Sequence, residues 1–171
     1  MVNEHMEQSS QLELDTLQQR LQGAESPREV ALCAVNESAA ALAFEQAVLW
    51  WLKPAARRLE MVGSELPEIS DDSVYQQWLA QLVEAVTPQP FDRPGTFTLA
   101  DLPETVAADG VEWFPGVVLH CPVCRPDGIA FGGMLFFRVE PFSDAERAVA
   151  QSIGEMTASA LWSAGAMAER P

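Results

Sequence analysis

Val117–Glu146 reads VVLHCPVCRPDGIAFGGMLFFRVEPFSDAE, and its reading decides the fold. Two runs rich in β-branched and aromatic residues, Trp113–Val123 and Ile129–Val139, flank Arg125-Pro126-Asp127-Gly128. Such residues suit strands, and Pro-Asp-Gly suits a tight turn, so the pattern predicts an antiparallel hairpin. Ser143-Asp144-Ala145-Glu146 follows, with a hydroxyl three residues before a glutamate. That spacing predicts a capping box. Val149, Ile153, Met156 and Ala160 then mark the core stripe of a long closing helix.

Working back toward the N-terminus, Thr87–Val111 is irregular and carries Pro88, Pro90, Pro94, Gly95, Pro103 and Gly110. Within it, Thr96–Leu99 predicts a short strand and Asp101–Ala107 a helical turn, with Asp101 as cap and Pro103 in the first turn. A long loop inside a compact domain usually serves a function or moves. Asp71–Val86 reads as a helix with Val74, Trp78, Leu82 and Val86 on one face. Ala47–Lys53 predicts a strand, paired across Lys53–Arg58 with a second at Leu59–Val62. Ser26-Pro27-Arg28-Glu29 is a helix start, and Gln8–Gln22 is an amphipathic helix with Leu14, Leu17 and Leu21 at helical spacing.

The order of elements implies an α/β (α+β) domain. Hairpins argue for an antiparallel sheet, with the first and last helices on one face and the middle segment on the other. The chain has 171 residues, 48% of them hydrophobic, enough for one compact domain with a proper core. The expected division is an N-terminal helical extension over 1–23, the domain over 24–167 and a tail over 168–171.

In this order and spacing the sequence resembles the GAF family. Val117–Val123 is similar to the family's strand that ends in a proline-containing step, and Gly132–Phe137 to the glycine-started strand after it. Pro141-Phe142-Ser143-Asp144-Ala145-Glu146 is similar to the start of the family's last helix, and Ala158–Leu161 to that helix's small-residue face. The resemblance covers about Leu14 to Ala166. It implies a six-stranded antiparallel sheet sandwiched by helices, with any small molecule held between the sheet and the variable middle segment. It also implies a sensory or regulatory role, since many members act as dimerising or signal-relay domains. The aspartate-x-proline step at Asp101-Leu102-Pro103 is similar to that of the chromophore-binding branch. That branch attaches its bilin through cysteine followed by histidine, whereas this chain has His120-Cys121. The motif of the cyclic-nucleotide branch is absent.

Composition excludes several partners. The net charge is −15 and Lys53 is the single lysine. Binding a nucleic acid needs clustered cations, and Lys53, Arg57 and Arg58 make too small a cluster. Anionic membrane surfaces are disfavoured on the same ground. Met1–Gln11 lacks the apolar run of a signal peptide, and stretches such as Met156–Ala168 are too short to span a bilayer. Three cysteines argue for a reducing cytoplasm. The expected location is therefore cytoplasmic, as a soluble chain or as the cytoplasmic part of a longer, membrane-anchored protein.

The candidate ligand-binding residues are Trp51, Trp78, Phe97 and Trp113, the bulky groups on elements that by resemblance face each other across the sheet. Adjacent strand residues face opposite ways, so only one of Trp50 and Trp51 can belong to that set. An aromatic-lined cavity suits a planar or apolar ligand. Cys121-Pro122-Val123-Cys124 offers two thiols to a metal or a redox disulfide, but a zinc site needs four ligands and this chain has no second pair. Strand alternation turns His120 away from Cys121. No catalytic triad, phosphate-cradling loop or helical metal-ligand pair is present, so an enzyme is not expected, and the sequence names no cofactor. The expected function is small-molecule sensing or homodimerisation through the terminal helices. Thiol chemistry at Cys121 and Cys124 is the alternative.

Overall fold

A computed structural model describes residues 2–53, 58–64, 74–86, 95–110 and 116–165. Trp113 and Phe114 lie outside the described residues. The chain begins with two helices, α1 (Val2–Gly23) and α2 (Pro27–Glu37). Strands β1 (Gln46–Lys53) and β2 (Arg58–Gly63) follow, then helix α3 (Val74–Val86). Next come strand β3 (Gly95–Thr98) and the short helix α4 (Glu104–Gly110). Strands β4 (Val117–Cys124) and β5 (Ala130–Arg138) lead to the closing helix α5 (Asp144–Ser163).

Local chemistry sets the ends of these elements. Ser26 Oγ accepts from the Glu29 N–H at 3.1 Å, and Pro27 opens α2. The capping box of α5 is complete: Ser143 Oγ accepts from Glu146 N–H at 3.1 Å, and Ser143 N–H donates to Glu146 Oε1 at 3.0 Å. Gly128, with φ 89°, closes the β4–β5 turn in a region that favours glycine. Asp101 departs from expectation. Its carboxylate accepts from both the N–H and the hydroxyl of Thr98, at 2.8 and 3.0 Å. It holds the turn after β3 instead of capping α4, whose first backbone bond goes to Pro103 O.

Five strands form one antiparallel sheet among the described residues, in the order β2-β1-β5-β4-β3, against the six expected. The class and layering are as expected. One core joins α1, α2 and α5 to one face of the sheet, and a second joins α3 and α4 to the other. Leu14, Leu17 and Leu21 of α1 are all buried in the first core, so this leucine stripe packs within the chain.

Candidate functional site

The register of β1 on β5 sets Trp50 opposite Gly133 and Trp51 opposite Gly132. A Cβ on Gly133 would collide with His120 Nε2 and lie 2.8 Å from Trp50 Nε1. A Cβ on Gly132 would collide with the backbone oxygen of Trp50 and stand 3.0 Å from Trp51 Cα. The two glycines therefore leave room on both faces of the sheet for two adjacent tryptophans.

The two indoles diverge, as strand alternation requires. Trp50 joins the core beneath α3 and α4, together with Trp78, Leu79, Leu82 and Phe137. Trp51 joins the core beneath α1, α2 and α5, with Val123 and Phe131. This corrects the candidate set: Trp51 lies on the opposite face from Trp78 and Phe97, and Trp50 takes its place. The buried Nε1 of Trp51 has no hydrogen-bond partner among the described residues.

The face beneath α3 and α4 holds several polar handles in an apolar setting. Trp50 Nε1 donates to His120 Nε2 at 3.1 Å, and the two rings stack with centroids 5.9 Å apart. Burial pushes His120 down to about 3, so the imidazole is neutral and carries its proton on Nδ1. Trp78 Nε1 donates to Val106 O at 3.0 Å, which ties α3 to α4. The Trp78 ring also meets Phe137 at 6.4 Å and Tyr75 at 6.2 Å. Burial raises the Tyr75 phenol to about 12 against a lowering hydrogen bond to Gln46. Phe97 of β3 is half-buried at the margin of this core, in register with Val118, which in turn pairs with Phe137. The fourth candidate, Trp113, lies outside the described residues.

His120 is the member that sequence reasoning did not place here. Alternation set it on the opposite face from Cys121 without saying which face that is, and its partner Trp50 is 70 residues away. Only the strand register brings the two together. Cys121 is buried on the other face, and burial raises its thiol to about 12. Cys124 is half-buried, and neither Cys121 nor Cys124 is in a disulfide. Among the described residues no three His, Cys, Asp or Glu side chains gather to hold a metal ion. No helix of the described residues is long and apolar enough to cross a membrane.

Solved structures share this architecture. A GAF domain from Pseudomonas syringae pv. tomato matches with a TM-score of 0.64 and 15% identity, covering 94% of this chain and 90% of that one. The N-acylhomoserine lactone-dependent LuxR-family transcription factor CepR2 from Burkholderia cenocepacia matches at TM-score 0.64 and 16% identity, covering 90% and 96%. The GAF domain of an Acinetobacter phosphoenolpyruvate-protein phosphotransferase matches at 0.60 and 13%, covering 93% and 96%. No protein-family model matches the sequence, and no curated protein is significantly similar to it.

Proposed function

We propose that this chain, which has the fold of a GAF domain, is a sensory module that takes a small, largely apolar molecule on the sheet face beneath α3 and α4. The observation that carries the reading is the pairing of a neutral, buried His120 with Trp50 inside an aromatic core on that face. Ligand sites of this kind are apolar with a few placed polar groups. A structural neighbour named for dependence on an acylated lactone has the same fold at comparable similarity, which supports a ligand of mixed apolar and polar character. Other neighbours are domains of signalling proteins, among them a methyl-accepting chemotaxis protein. The role is binding and not catalysis, in the cytoplasm, with no nucleic-acid partner.

Native mass spectrometry of the purified chain tests this. A retained small molecule, lost in Trp78→Leu while the fold persists by circular dichroism, supports the reading. Retention unchanged in that variant, or a bare chain that takes up no member of an apolar metabolite library, overturns it.

A second reading is homodimerisation through α1 and α5. The C-terminal parts of these helices face each other across a shared groove lined by Leu21, Gln22, Met156 and Ala160. Light scattering after size exclusion decides it: a monomer at high concentration removes the dimer.

A further inference from the structure

A groove of about 440 Å³ opens on the other side of the sheet, between the end of β4, the turn after it and α5. A β-bulge shapes this end of the sheet. Val123 pairs with Gly132, but Cys124 pairs with Ala130, so Phe131 is the extra residue. The bulge re-aims Phe131 onto the face covered by α1, α2 and α5. There it is buried in the core and meets the Trp162 ring at 6.3 Å. Trp162 nonetheless keeps 42% of its surface exposed, at the groove's rim.

The floor is apolar, formed by Cys121, Pro122 and Ala158. The rim carries charge of both signs, unequally available. Arg125 spends its Nε, at 3.2 Å, and a second guanidinium nitrogen on Asp127. Glu155 is exposed, its contact being the Gln151 amide at 3.3 Å. Glu155 and Trp162 stand seven residues apart on α5, so they share a helix face. An exposed carboxylate and a part-exposed indole lining one groove are chemistry that attracts an organic ammonium group. The groove has the size of a small-molecule site. The net charge of −15 raises the local concentration of cations.

We infer that this groove binds a small organic ammonium compound, its cationic head against Trp162 and Glu155 and its apolar body over Cys121 and Ala158. The site is separate from the face beneath α3 and α4, so the two proposals stand or fall independently. Titration of the isotope-labelled full chain with benzyltrimethylammonium, followed by ¹H–¹⁵N NMR, tests it. Phenylmethanesulfonate serves as the charge-reversed control. The expected result is a saturable shift of the Trp162 indole N–H, with the Trp50 indole unmoved and the sulfonate inert. Glu155→Gln, an exposed position that leaves the fold intact, weakens binding about two- to fivefold. The inference is overturned by any of three results: no saturable shift up to roughly 10 mM, equal binding of the sulfonate, or unchanged affinity in the Glu155→Gln variant.

Discussion

At the scale of single residues, the Trp50–His120 pair and the glycine beneath it form a unit. Gly133→Ala places a methyl group against two buried rings that are hydrogen-bonded to each other. Overpacking of this kind costs about 1–3 kcal/mol. Gly23→Ala, where a Cβ meets nothing within 4 Å, should stay within about 0.5 kcal/mol of the parent. Urea denaturation of the two variants checks the contrast. His120 also makes stability depend on pH. Its value falls from 6.5 in the unfolded chain to about 3 in the fold, so the unfolded state binds the proton first. The contribution is complete above pH 6.5 and is lost as pH falls from there toward 3, at up to about 1.4 kcal/mol per unit. His120→Gln keeps an acceptor for the Trp50 N–H and removes the titration. Melting curves between pH 7 and pH 5 should slope for the parent and flatten for the variant.

At the scale of elements, two attachments hold the helical layer together and against the sheet. Arg138, at the end of β5, donates to the carbonyls of Ala43 and Glu140 at 3.1 and 2.8 Å and to Glu146 Oε1 at 2.7 Å. Its guanidinium sits 4.0 Å from the Phe142 ring centroid. This one side chain ties β5, the chain before β1 and the first turn of α5 together. The hydrogen-bonded Arg138 holds the Glu146 carboxyl down to about 2, so its contribution is present above pH 4.5 and lost as pH falls toward 2. That window lies below most of the His120 window. Arg138→Met should cost about 2 kcal/mol, compared with about 1 kcal/mol for the cap variant Ser143→Ala. Equilibrium denaturation ranks them. The second attachment is α1. Leu17 is 2% exposed in the core shared with α2 and α5, so Leu17→Ala should cost about 2–5 kcal/mol. If α1 served only to join two copies, the same change would alter oligomeric state and leave the monomer's melting temperature unchanged.

At the scale of the whole molecule, a single sheet separates two cores, each closed by its own helices. The excess of acids imposes a general repulsion on this compact body. Adding salt screens it, because the Debye length shrinks from about 10 Å at 0.1 M to about 3 Å at 1 M. The melting temperature of the parent should therefore rise between low and moderate sodium chloride. A flat or falling curve would show that specific ion pairs, such as Arg138 with Glu146, outweigh the repulsion.

The sequence by itself determined most of the elements and several of their terminations, though not the role of Asp101, which holds the turn after β3. The two capping sequences, the Pro-Asp-Gly turn and the helical spacing of Leu14, Leu17 and Leu21 act over a few residues, so they are legible without a fold. Alternation likewise showed that Trp50 and Trp51 diverge, and that His120 and Cys121 do too. Only the tertiary structure decided which member of each pair faces which helices. Strand periodicity gives relative faces, while the absolute face is set by register against a partner strand far away in the chain. The pairing of Trp50 with Gly133 and the packing of His120 against Trp50 are such long-range facts. The bulge that turns Phe131 toward α5 is another, because an unpaired residue reverses the alternation that the sequence alone implies.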